Sequence, residues 1–461
     1  MRRPHVIAIL CATLLAVGAV ALWLVPKLPG WTPFWAGWGD PEPASPPGIP
    51  SAEMPQSGGL TIQSPEASLT AEQVASAWVT VTEAAERENW VPWVVVANAT
   101  TGDVIFERDG NKAHTPASLM KILTAYATLS ALDPQERLET GVSQDGANLY
   151  LWGEGDLMLS GTEGSVSKVN GRAGLSDLAA QVAENVEGSD QTLTLYYQDE
   201  LFVGPARAPE HFEQGVTTWV GEVGPYAIDT GRVVPGEYGF YAESAKQVAE
   251  VFRDRLVEAG ITVGSVESFN LPVPAGAVVV GMVESATILE QVQVMLEESD
   301  NTLAEQYCRL AASRTLERPV TLSEATSTIL VLLERGGIDT SGLAIKDCSG
   351  LNKDSRVKPQ TIIDTMAASL NEGSNTTSLT RILAVGGLSG TLDSRFTDDL
   401  GYANVAGKTG SLGHVSALAI LGTTASGEHL YIAVGADDVP DDAAWWVTPT
   451  LDAFVVEVLG H

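Results

Sequence analysis

The chain has 461 residues, and its 26 basic against 58 acidic side chains leave a net charge of 26 − 58 = −32, with a sequence pI near 4.4. So acidic a balance argues against a nucleic-acid partner and against a surface that clings to anionic lipid, since both need cationic density. It fits a soluble exported domain, and the length is enough for two or three domains with a sizeable core.

Arg2 and Arg3 precede an uncharged, mostly apolar run from Val6 to Val25, closed by Pro26 and Lys27. The basic end is expected to stay in the cytoplasm and place the rest of the chain outside. The run of 20 residues is long enough to span a bilayer and favours an uncleaved anchor. Ala19, Val20 and Ala21 resemble a cleavage site and leave a removable signal peptide open. Residues 30–68 are rich in Pro, Gly and Ser and read as a tether.

Folded sequence starts with an amphipathic helix pattern from Leu69 to Glu88. Two β-rich runs about a Gly turn, Trp93 to Asn98 and Val104 to Glu107, predict an antiparallel hairpin. His114 to Leu129 follows as a helix that Ser118 opens. Residues 136–274 are expected to form an inserted α/β domain: strands near Asn148 and Thr192, helices at Leu175–Val186 and Ala242–Ala259, and no chemical signature. From Ala286 helices return, then strands at Val405–Leu421 and Leu430–Val434 and a closing helix from Ala443. Helices at both ends therefore enclose a sheet whose strands come from both ends, with the catalytic part assigned to 69–135 and 275–461.

Ser118 and Lys121 stand at i and i+3 and share one face of the first turn. A Ser hydroxyl needs a base, and a Lys whose charged form is disfavoured by apolar surroundings can serve. The same spacing recurs at Ser165 and Lys168, in a Gly/Ser-rich loop, and at Ser355 and Lys358, where Pro359 disfavours helix. Two further elements complete a set. Ser299-Asp300-Asn301 lies at a break between two helices, where a hydroxyl and an amide suit proton transfer and alignment. Lys408-Thr409-Gly410 lies on a strand, where a cation can hold a carboxylate and Gly admits a substrate backbone to the edge.

His5 and His461 are terminal, and His114, His211, His414 and His429 show no ligand spacing with Cys or acids, so neither metal nor cofactor is expected. Cys11 belongs to the apolar N-terminal run. An oxidising compartment allows Cys308 and Cys348 to bond, but two cysteines so far apart read more simply as buried small residues.

The order Ser-x-x-Lys, Ser-Asp-Asn, Lys-Thr-Gly is that of penicillin-binding proteins and class A β-lactamases. With Leu151-Trp152-Gly153-Glu154-Gly155-Asp156, Asp347-Cys348-Ser349-Gly350-Leu351 and Gly386 to Leu392, the chain resembles the large-insert, low-molecular-mass penicillin-binding proteins that act as D-alanyl-D-alanine carboxypeptidases or endopeptidases. The resemblance implies an antiparallel sheet flanked by helices, interrupted by the smaller α/β insert. It implies Ser118 as nucleophile, Lys121 as its base, Ser299 as proton relay and Asn301 as aligner of Lys121 and the substrate amide. Lys408, Thr409 and the Ser411 hydroxyl would hold the terminal carboxylate beside Gly410, and the Ser118 and Ser411 amides would form the oxyanion hole. Peptidoglycan stem peptides would be the substrate and β-lactams covalent inhibitors, on the outer side of the membrane.

Cys348 departs from the family's usual Gly, and Ser411 replaces a common Thr while keeping the hydroxyl. The span of 299 − 118 = 181 residues between Ser118 and Ser299 fits one insert, shorter than in the fullest relatives. A class A β-lactamase would need a Glu-x-x-x-Asn between Ser299 and Lys408, which is absent. A non-catalytic wall scaffold on the same fold is opposed by the intact set.

Overall fold

The computed structural model describes residues 69–188, 190–270, 272–370, 374–398, 400–441 and 444–461. The expected anchor at 6–25 and tether at 30–68 lie outside them. Among the described residues no helix is long and apolar enough to cross a membrane.

Helix α1 (Ala71–Glu88) begins at a capping box, in which Thr70 accepts from the Gln73 amide and Gln73 reaches back to the Thr70 N–H. Val74, Ala77, Trp78, Val81, Ala84 and Ala85 recur at helical spacing and form its buried stripe. The predicted hairpin follows as β1 (Val91–Asn98) and β2 (Val104–Arg108). A 3₁₀ turn over Ala117–Leu119 then leads into α2 (Met120–Ala131). Ser118 therefore sits ahead of the α-helix, where the left-handed Ala117 (φ 45°) diverts the backbone.

The middle segment holds β3 (Arg137–Asp145), β4 (Asn148–Gly153), β5 (Asp156–Leu159), α3 (Leu175–Asn185), β6 (Leu193–Gln198), α4 (Pro209–Glu213), β7 (Tyr226–Ile228), α5 (Ser244–Glu258), β8 (Val263–Phe269) and β9 (Val278–Thr287). The chain then runs through α6 (Ile288–Glu297), α7 (Asn301–Leu316), α8 (Leu322–Arg335) and α9 (Pro359–Ala368). It ends with β10 (Ala384–Val385), β11 (Ala406–Leu412), β12 (Val415–Thr423), β13 (His429–Asp437) and α10 (Ala444–Leu459).

Six strands form one antiparallel sheet in the order β10-β11-β12-β13-β1-β2. Strands from the two ends meet at β1–β13, with Val91 opposite Asp437 and Asn98 opposite Leu430. The apolar run of β1 is continuous because both faces of this sheet are covered. Trp93, Val95 and Ala97 share a core with α2, α7, α8 and α9, while Val94 and Val96 share one with α1 and α10.

A second, mixed sheet has the order β8-β6-β4-β3-β9, parallel across β4, β6 and β8 and antiparallel elsewhere. Leu178 and Val182 of α3 and Val248 and Phe252 of α5 share its core. Residues 278–287, assigned from sequence to the catalytic part, pair with β3 in this sheet. A β-branched run such as Val278-Val279-Val280 predicts a strand but carries no mark of its partner.

Cys308 of α7 is disulfide-bonded to Cys348, with Cα atoms 6.2 Å apart. The reading of the two as unbonded buried residues is thereby corrected. A separation of 40 residues hid the meeting of α7 with the loop that follows α8.

Candidate active site

Ser118 is positioned by backbone that its neighbours hold in place. Left-handed Ala117 costs about 1 kcal/mol or more in isolation, and the left-handed Gly350 (φ 84°) packs against its carbonyl, where a Cβ would overlap the Ala117 oxygen. On the other side β11 comes close: a Cβ at Gly410 would lie 3.1 Å from the Pro116 oxygen and 3.3 Å from Leu119. Gly410 thus admits the strand to the nucleophile's turn.

Lys121 is fully buried. Its Nζ lies 3.0 Å from Ser118 Oγ, 2.7 Å from Asn301 Oδ1 and 2.7 Å from the Ser349 carbonyl. The two oxygens of Asn301 and Ser349 can only accept, so a neutral amine spends both N–H groups on them. Its lone pair is then left facing the Ser118 hydroxyl. Asn301 Nδ2 donates to the Trp219 carbonyl at 2.9 Å, which fixes the amide with its oxygen toward Lys121. Burial pulls the Lys121 pKa down to about 8, against the opposing charges of Asp347, Asp300 and Glu305.

Ser299 joins α6 to α7 in the left-handed conformation (φ 57°) and faces the cleft. Asp300 caps α7 by accepting from the Leu303 amide at 2.8 Å, which sets Asn301 at the helix start.

Lys408, Thr409, Gly410 and Ser411 all lie on β11, paired with β12. Ser411 is exposed, and Thr409 Oγ1 donates to Thr391 Oγ1 at 3.0 Å. Lys408 is fully buried and its Nζ donates to the Thr409 carbonyl at 3.1 Å. Burial first, then the charges of Lys121 and Arg395, hold its pKa well below the usual lysine value.

The eight expected residues gather here. Ser118, Ser299, Asn301, Thr409 and Ser411 line a cleft of about 670 Å³, while the two lysines and Gly410 stand behind that lining. The spurious Ser-x-x-Lys pairs do not: Ser165 and Lys168 lie in a loop, and Lys358 pairs with Asp339 at 2.9 Å.

Several site residues escaped the sequence reading. Trp219 and Tyr238, ring centroids 4.3 Å apart and T-shaped, bring the middle segment to the cleft. Thr391 and Ser349 belong to recognisable motifs, yet their part was not legible there. His211, which shows no acid at ligand spacing in sequence, is buried beside Asp347 and Glu305, with Nε2 3.2 Å from Asp347 Oδ2.

Known proteins resemble this chain along most of its length. The model of the D-Ala-D-Ala carboxypeptidase 3 (S13) family matches residues 77–238 and 240–452. Carboxypeptidase Rv3627c of Mycobacterium tuberculosis is 32% identical over 352 residues, covering 73% of this chain and 74% of the relative. Carboxypeptidase DacB of Mycolicibacterium smegmatis is 31% identical over 360 residues, covering 74% and 75%. The crystal structure of penicillin binding protein 4 from Haemophilus influenzae superposes with a TM-score of 0.66 at 18% identity, over 81% of this chain and 97% of that one. That likeness shows the fold, and the family match together with the mycobacterial relatives shows that the chain belongs to the D-Ala-D-Ala carboxypeptidase 3 (S13) family.

Proposed function

We propose that this serine D-Ala-D-Ala carboxypeptidase releases the terminal D-alanine of peptidoglycan stem peptides through an acyl-enzyme on Ser118. The setting of Lys121 Nζ, between two obligate acceptors and the Ser118 hydroxyl, carries the reading. Lys121 takes the hydroxyl proton as Ser118 Oγ bonds to the carbonyl carbon of the penultimate D-alanine. The backbone amides of Ser118 and Ser411 receive the developing oxyanion. Ser299 relays a proton to the departing nitrogen as the C–N bond breaks, and water then hydrolyses the ester. Lys408, Thr409 and Ser411 hold the terminal carboxylate of the substrate.

β-Lactams acylate the same hydroxyl in this reading; the Haemophilus influenzae protein has been crystallised in complex with one. A labelled penicillin tests it. Stable labelling of the wild-type chain and none of Ser118→Ala are expected, and a label that survives in Ser118→Ala would sink the mechanism. Rapid loss of the label from wild type would favour a β-lactamase instead. Products from defined muropeptides decide between terminal release and cross-link cleavage.

The family acts on the cell wall, outside the cytoplasm, and residues 6–25 are read as the anchor that holds this member to the membrane. Full-length chain is expected in the membrane fraction and a 2–29 deletion outside it. Recovery of a shortened full-length product in the soluble exported fraction would establish cleavage instead.

A further inference from the structure

Three carboxylates surround the buried Lys121: Asp300 at the cap of α7, Glu305 on α7, and Asp347 on the loop after α8; the Lys408 side chain on β11 faces it as well. Negative charge there favours the lysine's ammonium, which cannot accept a proton from Ser118. Two of these carboxylates are met by basic side chains from the middle segment. Arg232 NH2 lies 2.6 Å from Asp300 Oδ2, and His211 Nε2 lies 3.2 Å from Asp347 Oδ2 with Glu305 alongside. Glu305 Oε1 accepts from the Cys348 and Ser349 amides at 3.0 Å each, so the same carboxylate holds the loop whose Ser349 carbonyl touches Lys121.

The middle segment goes to some conformational cost to deliver Arg232. Asp229, Thr230 and Gly231 are all left-handed, at φ 46°, 54° and 80°. Two non-glycine residues in that region cost on the order of 1 kcal/mol each or more. The guanidinium that follows is held by Thr230 Oγ1 at 2.6 Å and by Asp229 at 3.7 Å, and it faces the Phe240 ring at 5.8 Å. Strain next to a half-buried ion pair near the reacting lysine is the kind of feature that clusters at functional sites.

We infer that Arg232 and His211 are positioning residues for the proton-transfer step, pairing with Asp300 and Asp347 so that Lys121 gives up its proton more readily and can face Ser118 as a free amine. The inference rests on the reading of Ser118 as nucleophile and Lys121 as its base. The local electrostatics run in the same sense. Burial lowers Lys121 to about 8 while these same three carboxylates pull it back upward. For His211, burial alone would lower the pKa, but the hydrogen bond to Asp347 and the charges of Glu305, Asp347 and Glu210 outweigh that and raise it. Asp347 answers in the opposite sense: burial would raise it, yet His211 and the Asn352 and Gly350 amides bring it down.

Since the base must be unprotonated, acylation falls as pH drops through the Lys121 pKa, and a raised pKa moves that limb to higher pH. The experiment is the pH profile of the acylation rate with a labelled penicillin, for the full chain and for Arg232→Gln, Arg232→Lys and His211→Gln. An exposed carboxylate charge within reach shifts a titrating group by about one pH unit or more. Arg232→Gln and His211→Gln are therefore each expected to move the acid limb up by about one unit, an approximately tenfold slower rate at pH 7. Their rates at high pH should stay within about threefold of wild type, and Arg232→Lys should restore the wild-type midpoint. A uniform loss at every pH with an unmoved midpoint overturns the inference and leaves the two residues as mere anchors. If Arg232→Gln does not fold, His211→Gln carries the same test. Failure of the Ser118 reading looks different, because the wild-type chain itself would then take no label.

Discussion

A lysine that holds a substrate carboxylate must be charged when the carboxylate arrives, and Lys408 sits where charge is costly. It is fully buried, and Lys121 and Arg395 add like charge to the effect of burial, so its pKa lies well below the usual lysine value. An anion arriving at Thr409 and Ser411 opposes these effects and favours the charged form of Lys408. Binding is then coupled to proton uptake, and affinity falls as pH rises above the pKa of the free site, by up to about tenfold per unit. Ser118→Ala, which cannot turn over, allows calorimetry of a peptide ending in D-Ala-D-Ala in phosphate and in Tris at one pH. The enthalpies should differ by up to the ionisation heat of one proton, and Lys408→Met should lose both the difference and most of the affinity. Equal enthalpies in the two buffers would show that Lys408 is already charged in the empty site.

At the level of elements, what could be read from sequence was what is local. The amphipathic pattern from Leu69 to Glu88, the apolar run of β1 and the turn before β2 each announce themselves within a few residues. So do the Ser-Asp-Asn break and the strand-borne Lys-Thr-Gly, which is why all eight expected site residues lie together. What stayed hidden is paired over distance. Arg232 meets Asp300 across 68 residues, Trp219 meets Asn301 across 82 and His211 meets Asp347 across 136. No periodicity records such pairs, and the same blindness covers β9 in the second sheet and the Cys308–Cys348 bond. Ala117 illustrates a different failure. An alanine carries no sign that its φ will be positive, and only the close packing of Gly350 and Gly410 on either side makes that conformation hold.

For the molecule as a whole the dominant property is charge. With 58 acidic and 26 basic side chains, most carboxylates have no basic partner to pair with, and a net charge of −32 sets the surface against itself. Packing is not short of supply, since both faces of the six-stranded sheet are covered and the second sheet has its own core. Self-repulsion is therefore the term that salt should relieve. The screening length shrinks from about 10 Å at 0.1 M to about 3 Å at 1 M, less than typical spacings between surface charges. Melting temperature at pH 7.5 (roughly neutral conditions) is expected to rise by several degrees over that range of NaCl. Salt also strengthens apolar burial to some degree, so the rise alone does not identify its cause. The two contributions separate near the pI of about 4.4, where the net charge approaches zero. Relief of repulsion predicts that the salt increment shrinks there towards nothing, because protonated carboxylates no longer repel. An increment of equal size at both pH values would assign the effect to apolar burial and remove charge as the limit on this protein's stability.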